Sequence, residues 1–259
     1  MCAVKLIAAG LFKIPERIVR NITPAIVRMV YGGDSYAYNK RMEQSLDIMP
    51  LLLQHTLKSA RVKQIPSGQI ILYEGDTPQE VFILKSGVVK LYDIDDQGNE
   101  KILHLVKPPA VIPFAFFSGM RAPLRWFYMT LTDCELYTLP FTELHTMARD
   151  SSDLAELLTN YFSDDVHELL VRLNSLSKTN TQNKVLAVLW FLLERHSVER
   201  RATWWRVDFP VSHQLIADLC GITRESTSIV MKELLDKKIV RAPKLTTLEI
   251  NKKRLNALQ

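Results

Sequence analysis

The sequence predicts an α+β protein, with a run of short antiparallel strands followed by one long helix and then by a small helical unit with a terminal hairpin. Three observations predict this order. Glycine turns separate short apolar segments through the first half of the chain. An apolar pattern of helical period then runs from Ser152 to Ser177. Finally, two short helical patterns meet at Gly221, and two β-rich segments follow them.

The strands of the first unit are short and evenly spaced. They are predicted over Gln69–Glu74, Val81–Lys85, Val88–Tyr92, Lys101–Val106, Trp126–Leu131 and Glu135–Leu139. The turns between them are marked by Gly68, Gly75, Gly87 and Gly98. The segment Asp95–Glu100 (DDQGNE) is a strong hairpin signal. Such spacing predicts an N-terminal antiparallel β-roll or small barrel.

The long helix carries an apolar face along its length. Its residues recur in steps of four and three, which is typical of a coiled-coil seam and predicts a dimer interface formed by Phe162, Val166, Leu169, Leu173 and Leu176. Because two heptads are few, packing within one chain stays an alternative. At the start of the helix, the apolar face widens through Leu154, Leu157, Leu158 and Tyr161 and is expected to pack on the roll. The polar segment Ser177–Asn183 reads as a hinge.

The segment Val211–Leu235 predicts a helix-turn-helix. Ser212 is suited to cap the first helix, and Thr223 is suited to cap the second. Gly221 lies where the turn needs a positive φ, which a side chain would resist. The residues expected to face inward are Ile216, Ala217, Leu219, Thr227, Val230, Met231 and Leu234.

The second helix of this motif leaves a mixed polar and apolar face outward, formed by Arg224, Glu225, Ser228, Ile229 and Lys232. An arginine can hold guanine O6 and N7, and a glutamate can accept from cytosine N4. The motif therefore predicts reading of the DNA major groove. An ordinary surface helical hairpin is the alternative.

The rest of the C-terminal unit fits a winged domain. A helix is predicted over Lys184–His196 and a short strand over Arg206–Phe209. A hairpin, or wing, is predicted from Ile239–Ala242 and Thr246–Ile250, with Pro243 and Lys244 at its tip and a terminal helix from Asn251.

Composition sets modest limits on function and location. The 33 Lys and Arg exceed the 28 Asp and Glu by only five, so nucleic-acid binding has to rest on local patches. Three scattered cysteines (Cys2, Cys134 and Cys220) suit a reducing cytoplasm, and the last two are expected to be core residues. No apolar run approaches the ~20 residues that span a bilayer.

The first 44 residues are expected to form an extension that is helical or disordered, or that arises because translation begins at Met29 or Met42. It lacks the cleavage site of a secretory signal. Residues 45–60 then predict a helix, or two helices broken at Pro50.

Four segments in this order resemble the Crp-Fnr superfamily of bacterial transcription regulators. They are SGQIILYEGD (Ser67–Asp76), VFILKSGVVKLYDIDDQGNEKIL (Val81–Leu103), TLTDCELYTLP (Thr130–Pro140) and VSHQLIADLCGITRESTSIVMKEL (Val211–Leu234). The resemblance implies a cyclic-nucleotide-binding-like domain over residues 45–150, a dimerisation helix and hinge over 151–178, and a winged helix-turn-helix over 179–259. It also implies a homodimer on palindromic double-stranded DNA, with RNA polymerase as a further partner and no membrane.

The resemblance also implies roles for single residues. Arg224 and Glu225 begin the recognition helix at base-reading positions, and Ser228 and Ile229 follow on the same face. Phosphate contacts are implied for Ser212, His213, Thr223, Ser226 and Lys232. The family often has a second arginine where this chain has Ile229, which offers only apolar contact such as with a thymine methyl. The preferred half-site is therefore expected to differ from the commonest one of the family.

The resemblance is weakest at the effector pocket, which corresponds to Lys107–Phe127. This segment lacks the glutamate that would bind a ribose hydroxyl, and its prolines Pro108, Pro109 and Pro113 remove N–H donors. The candidate pocket residues are Arg121, Arg125, Phe114 and Phe116. The effector is unknown, and a cyclic nucleotide is not expected.

No other cofactor is expected from the sequence. Three scattered cysteines are too few for iron–sulfur ligation, and the six histidines have no zinc spacing. His104 and His145 are haem candidates by residue type alone. The favoured function is a sequence-specific DNA-binding regulator. An effector-sensing adaptor for protein partners is the alternative, and an enzyme is not expected, since no nucleophile–base pair, metal triad or phosphate loop is present.

Overall fold

The computed structural model describes residues 60–113, 123–201, 203–244 and 246–258, with the backbone alone for residues 199–201. The predicted extension and the helix predicted before residue 60 lie outside the described residues. So do Cys2 and three of the candidate pocket residues, Phe114, Phe116 and Arg121.

The first unit is a roll of eight strands in two antiparallel sheets. The strands are β1 (Arg61–Ile65), β2 (Ile70–Leu72), β3 (Glu80–Ser86), β4 (Val89–Ile94), β5 (Glu100–Val106), β6 (Ala110–Ile112), β7 (Phe127–Thr130) and β8 (Cys134–Pro140). One sheet has the order β1-β8-β3-β6 and the other β2-β7-β4-β5. The predicted antiparallel roll is confirmed, with β1 and β6 as additional strands.

Two turns of the roll show why a particular residue type occurs at each of them. Asp95 joins β4 to β5, and its Oδ1 accepts hydrogen bonds from the backbone N–H groups of Gln97 at 3.0 Å and Asn99 at 2.9 Å. Gly87 has φ of +94°, and a Cβ placed there would lie 2.4 Å from the carbonyl oxygen of Asp133. Only glycine fits this position, because both the backbone conformation and the neighbouring strand exclude a side chain.

Two helices follow the roll and complete its core. They are α1 (Phe141–Asp150) and α2 (Ser152–Leu176), the latter within one residue of its predicted end. Leu154, Leu158 and Tyr161 of α2 are buried in the core of the roll, as predicted. Leu157 packs against the same core in a half-buried position.

The C-terminal unit is a winged helix-turn-helix. Its elements are α3 (Thr181–Arg195), β9 (Ser197–Arg201), β10 (Trp204–Val207), α4 (His213–Cys220), α5 (Arg224–Asp236), β11 (Val240–Arg241), β12 (Glu249–Asn251) and α6 (Lys252–Asn256). Its antiparallel sheet has the order β11-β12-β10-β9. The predicted α+β class, with roll, long helix and winged helix-turn-helix in this order, is confirmed.

Three predicted boundaries in this unit were wrong. The second strand of the wing was predicted over Thr246–Ile250 but begins only at Glu249 and ends at Asn251. The hinge predicted over Ser177–Asn183 is shorter, because the Asn180 side chain accepts from the N–H of Gln182 at 2.7 Å and so caps α3 at Thr181. The strand predicted over Arg206–Phe209 begins earlier, at Trp204. Trp204 pairs with Asn251 of β12, and this pairing extends the wing sheet in the N-terminal direction.

The roll and the helix-turn-helix share apolar core. Ile102 and Leu105 of β5 are buried in the same cluster as Leu215 and Leu219 of α4. The helix-turn-helix unit therefore packs directly on a strand of the roll. Among the described helices, none combines the length and apolarity that crossing a bilayer requires.

Both described cysteines are buried core residues, as predicted. Burial raises the pKa of the Cys220 thiol to about 12 and also raises that of Cys134. Such thiols are protonated at neutral pH and are poor nucleophiles.

Candidate nucleic-acid interface

The helix-turn-helix is held by three local devices that the sequence predicted. The Ser212 hydroxyl accepts from the N–H of Leu215 at 3.0 Å and caps α4. Gly221 ends α4 with φ of 62° and ψ of 44°, in the left-handed region. The Thr223 hydroxyl accepts from the N–H of Ser226 at 3.2 Å and caps α5.

The inner faces of α4 and α5 are buried, as the helical period of their apolar residues predicted. The residues that are buried there are Ile216, Ala217, Leu219, Thr227, Val230, Met231 and Leu234. Thr227 is the only polar member of this set, and its hydroxyl donates to the carbonyl oxygen of Thr223 at 3.1 Å. The side chain is therefore satisfied within its own helix.

The outer face of α5 begins with exposed polar side chains. Arg224, Glu225 and Lys232 are exposed, and Ile229 has 64% of its surface accessible. Within the described part of the chain, Arg224 and Glu225 make no hydrogen bond or ion pair. Two charged groups and one large apolar group at the start of a helix are thus available to an external partner.

Two of the predicted contact residues bind each other instead of pointing fully outward. The ring Nδ1 of His213 lies 2.9 Å from the Ser228 hydroxyl, and both residues are half-buried. This hydrogen bond joins the start of α4 to the middle of α5. Sequence spacing alone could not reveal this pairing.

The hydroxyls at the start of each helix lie near the same surface. Ser212 and Thr223 are exposed and Ser226 is half-buried, and the Thr223 hydroxyl donates to that of Ser226 at 2.9 Å. Helix N-termini and hydroxyls are common phosphate ligands. The arrangement is therefore compatible with contacts to a nucleic-acid backbone on either side of Arg224.

The wing presents basic residues from a rigid base. Arg241 of β11 pairs with Glu249 of β12, and its guanidinium lies 4.2 Å from the centroid of the Trp204 ring. Pro243 and Lys244 are exposed at the tip of the hairpin, as predicted. The wing therefore carries a positive charge beyond the end of the recognition helix.

The predicted dimer residues form a stripe on the outside of α2. This outer stripe consists of the five predicted residues, Phe162, Val166, Leu169, Leu173 and Leu176, together with Leu170, which the sequence interpretation did not include. Leu170 and Leu173 expose 58% and 64% of their surface, Phe162 and Val166 somewhat less, and Leu169 and Leu176 are half-buried. A long run of exposed apolar side chains on one helix face is unusual on a lone protomer.

The inside of α2 contains three buried charged residues that the sequence interpretation missed, Asp165, Glu168 and Arg172. The inner seam is formed by Leu154, Leu158, Tyr161, Asp165, Glu168 and Arg172, all buried. Its spacing of four and three is as regular as that of the outer stripe. That spacing is a usable signal, but charged side chains are rarely buried, and the sequence interpretation did not extend the apolar face to Asp165, Glu168 and Arg172.

The buried charges contact both halves of the molecule. The Nη2 of Arg172 donates to the carbonyl oxygens of Ile102 in the roll, at 3.0 Å, and of Leu219 at the end of α4, at 2.8 Å. Burial lowers its pKa to about 10, so the side chain remains a cation at neutral pH. Lys107 of the roll donates to the carbonyl oxygen of Arg195 at the end of α3. These bonds connect the roll to the C-terminal unit.

A second group of charges surrounds His104 of β5. Arg195 Nη1 lies 2.9 Å from Glu168 Oε1, and His104 Nε2 lies 3.5 Å from Asp165 Oδ1. Burial, opposed by the charges of His104 and Lys107, raises the pKa of Glu168 to about 7. This group lies at the point where the roll, the long helix and α3 meet.

His196 predicts an acid sensitivity of the fold. Its ring is 1% exposed and packs edge-on to Phe191 and Phe209, with ring centroids 5.2 and 5.4 Å apart. Neither ring nitrogen has a hydrogen-bond partner among the described residues. Burial, and then the positive charges of Lys107, His104 and Arg195, hold its pKa well below 6.5. The folded state therefore excludes a proton that the unfolded chain binds below about pH 6.5.

The free energy of unfolding therefore falls as the pH drops below 6.5. The His196 imidazole contributes about 1.4 kcal/mol to this fall for each pH unit. We expect His196→Leu to reduce by about 2 kcal/mol the loss of unfolding free energy between pH 7.5 and pH 5.0, measured by urea denaturation. His145→Gln, at an exposed histidine of α1, is the matched control. An equal loss in wild type and His196→Leu would show that His196 is not a source of acid sensitivity.

The candidate effector pocket is described at only one of its four predicted residues. Arg125 is exposed, and the three others lie outside the described residues. The prolines predicted to remove donors are part of a tight segment in which the Pro108–Pro109 and Ile112–Pro113 bonds are cis.

Comparison with protein-family models gives two matches. The cyclic nucleotide-binding domain model matches residues 62–151, and the Crp-like helix-turn-helix domain model matches residues 184–258. The matched parts flank the long helix and together cover more than half of the chain.

Individual relatives agree with these models. The chain is 24% identical over 200 residues to the HTH-type transcriptional regulator ArcR of Staphylococcus haemolyticus, covering 77% of this chain and 86% of the relative. It is 21% identical over 181 residues to the global nitrogen regulator of Synechococcus elongatus, covering 70% and 81%.

Solved structures share the fold. FixK2 from Bradyrhizobium japonicum aligns with a TM-score of 0.64 and 19% identity, over 77% of this chain and 97% of that one. A cyclic nucleotide-binding domain containing protein from Listeria monocytogenes aligns with a TM-score of 0.68 and 17% identity, over 81% and 99%.

Proposed function

Since the chain belongs to the Crp-Fnr superfamily of DNA-binding transcription regulators, which are not enzymes, we propose that it acts as a homodimer on a palindromic DNA site. The observation that carries this proposal is the start of α5, where Arg224 and Glu225 are exposed and have no partner among the described residues. A structural hairpin would have no need of two unpaired charges there.

Specificity in this proposal comes from four residues of α5. Arg224 binds guanine O6 and N7, Glu225 accepts from cytosine N4, and Ser228 and Ile229 contact the bases that follow. The remaining contacts bind phosphate and set the register, from Ser212, His213, Thr223, Ser226 and Lys232. His213 and Ser228 are half-buried and hydrogen-bonded to each other, which supports a smaller contribution to DNA binding from these two residues than from Arg224.

The outer stripe of α2 supports pairing of two chains. Its apolar side chains recur at coiled-coil spacing and are exposed in a single protomer. A twofold axis along α2 would present two copies of α5 to half-sites one helical turn apart, about 34–36 Å.

Regulation would pass from the roll to α4 through the buried contacts of α2. A change in the roll that moves β5 also moves the acceptor of Arg172, and the same guanidinium binds α4. Any effector has to bind the two arrangements with different affinity. We propose an effector other than a cyclic nucleotide, with RNA polymerase as a protein partner and the cytoplasm as the location.

An adaptor that acts on proteins through the same surface is the second candidate function. It is favoured by Ile229, whose exposed apolar side chain also suits a protein partner. The two functions differ in their response to salt, because release of counterions makes DNA affinity fall steeply as salt rises. Selection of bound sites from random duplex DNA by the full chain tests the proposal directly.

Arg224→Ala is expected to weaken binding to the selected site by about 1–3 kcal/mol and to weaken binding to random DNA much less. The reason is that a base contact is lost while the phosphate contacts remain. The measurement is a titration of labelled duplexes at fixed salt. Arg149→Ala, at an exposed arginine of α1, controls for the loss of one charge. Equal weakening on both duplexes would assign Arg224 to phosphate binding.

A further inference from the structure

Three buried side chains with metal-binding groups meet between the roll and the long helix. His104 lies on β5, and Asp165 and Glu168 lie one turn apart on the inner seam of α2. Their exposed fractions are 1%, 8% and 8%. One nitrogen and two carboxylate oxygens, one from each residue, all lie within 4.8 Å of one another. Because the histidine is far from the carboxylates in sequence, no spacing motif indicates this cluster.

The distances within the cluster fit a shared ion better than direct hydrogen bonds. His104 Nε2 lies 3.5 Å from Asp165 Oδ1 and 3.9 Å from Glu168 Oε2. Hydrogen bonds between such atoms are about 2.7–3.2 Å long. Ligand atoms bound tetrahedrally at about 2.0–2.2 Å from a metal are separated by about 3.4 Å. The two distances to the histidine are close to this separation, and all three ligand atoms lie within 4.8 Å of one another, so the carboxylates would move inward to share an ion.

The surroundings of the cluster orient its donors. Glu168 Oε1 is held by Arg195 Nη1 at 2.9 Å, which leaves Oε2 on the side of His104. A ligand carboxylate that is fixed through its second oxygen is typical of metal sites. The Oδ2 of Asp165 is buried and has no hydrogen-bond partner among the described residues. Asp165 and Glu168 are two buried carboxylates whose oxygens lie within 4.8 Å of each other, and a cation between them would offset their mutual repulsion.

We propose that His104, Asp165 and Glu168 bind one divalent transition-metal ion of the Zn²⁺ type. One imidazole and two carboxylates form a borderline-hard ligand set that suits such ions. The ion would join β5 to α2. His104 is two residues from Ile102, whose carbonyl oxygen binds Arg172, so occupancy would be felt at the contact between the roll and α4.

The test is direct binding of Co²⁺, a spectroscopic substitute for Zn²⁺, to the full chain after treatment with a chelator. We expect one equivalent per chain by equilibrium dialysis and elemental analysis, with visible d–d absorption and no thiolate charge-transfer band. Asp165→Asn and His104→Gln are expected to lower the affinity on the order of 100-fold or more, since each removes a ligand. His145→Gln, at an exposed histidine, is expected to bind as the wild type does.

Two results would overturn the proposal. The first is a wild-type chain that retains neither Co²⁺ nor Zn²⁺ at stoichiometric level, which would make the cluster a purely structural polar network. The second is undiminished affinity in a folded Asp165→Asn chain, with folding checked by circular dichroism, which would place the metal elsewhere. If His104→Gln does not fold, the Co²⁺ affinity of Asp165→Asn and the visible Co²⁺ spectrum of the wild type test the proposal. Because metal is measured without DNA, failure here is distinguishable from failure of the proposed function.

Discussion

Arg172→Ala is expected to lower the free energy of unfolding by about 3 kcal/mol and to separate the unfolding of the two halves of the chain. The substitution removes two charge-assisted hydrogen bonds, to Ile102 and Leu219, and leaves a cavity where a 1% exposed side chain was. Relief from burying a cation offsets part of this loss. The remaining effect is large because one guanidinium binds both halves.

The measurement is urea denaturation followed by two probes. Three of the four tryptophans lie in the C-terminal half, at Trp190, Trp204 and Trp205, so fluorescence reports mainly on that half, whereas circular dichroism reports on both. We expect coincident transitions in the wild type and in Arg149→Ala, and separate transitions in Arg172→Ala. A single transition at the wild-type midpoint in Arg172→Ala would show that Arg172 does not couple the two halves.

Leu173→Glu is expected to convert the proposed dimer into a monomer and to weaken binding to a palindromic site by about 100-fold or more. Leu173 lies in the outer stripe with 64% of its surface exposed, so the substitution leaves the protomer core intact. A charge buried between two helices is strongly unfavourable unless it is paired. A monomer retains one recognition helix and loses the second set of contacts.

Val171→Glu is the matched control for this prediction. Val171 is an exposed apolar residue of the same helix. It lies about 200° around the helix from Leu173, since each residue turns the chain by about 100°. Sedimentation equilibrium at micromolar concentration and titration of the palindromic duplex are the two measurements. Wild-type assembly by Leu173→Glu, or an equal loss in Val171→Glu, would remove the outer stripe as the pairing surface.

The parts of the fold that were predictable have strong local signals. The cap at Ser212, the left-handed Gly221 and the cap at Thr223 each follow from the chemistry of one residue. Elements without such signals were missed. β1 reads RVKQI and is almost wholly exposed, so it has no alternation of apolar and polar residues. β6 has three residues and follows two prolines, which favour a loop.

The candidate site, like the fold, has some features that the sequence predicts and others that it does not. Exposed positions such as Arg224 and Ile229 follow from helical period, because a helix with one closed face has to expose the other. The bond between His213 and Ser228 depends on the crossing of two helices. The buried cluster around His104 depends on which strand meets which helix, and that is fixed by the whole topology.

In the second half of α2 the usual burial pattern is reversed, because charged side chains face the protein interior and leucines face solvent. If two chains meet through those leucines, assembly follows mass action. At cellular levels well below half-assembly, doubling synthesis of the chain would raise the number of complete DNA-reading pairs about fourfold. The target genes would then respond to the abundance of the regulator more steeply than in proportion, before any signal reaches the roll.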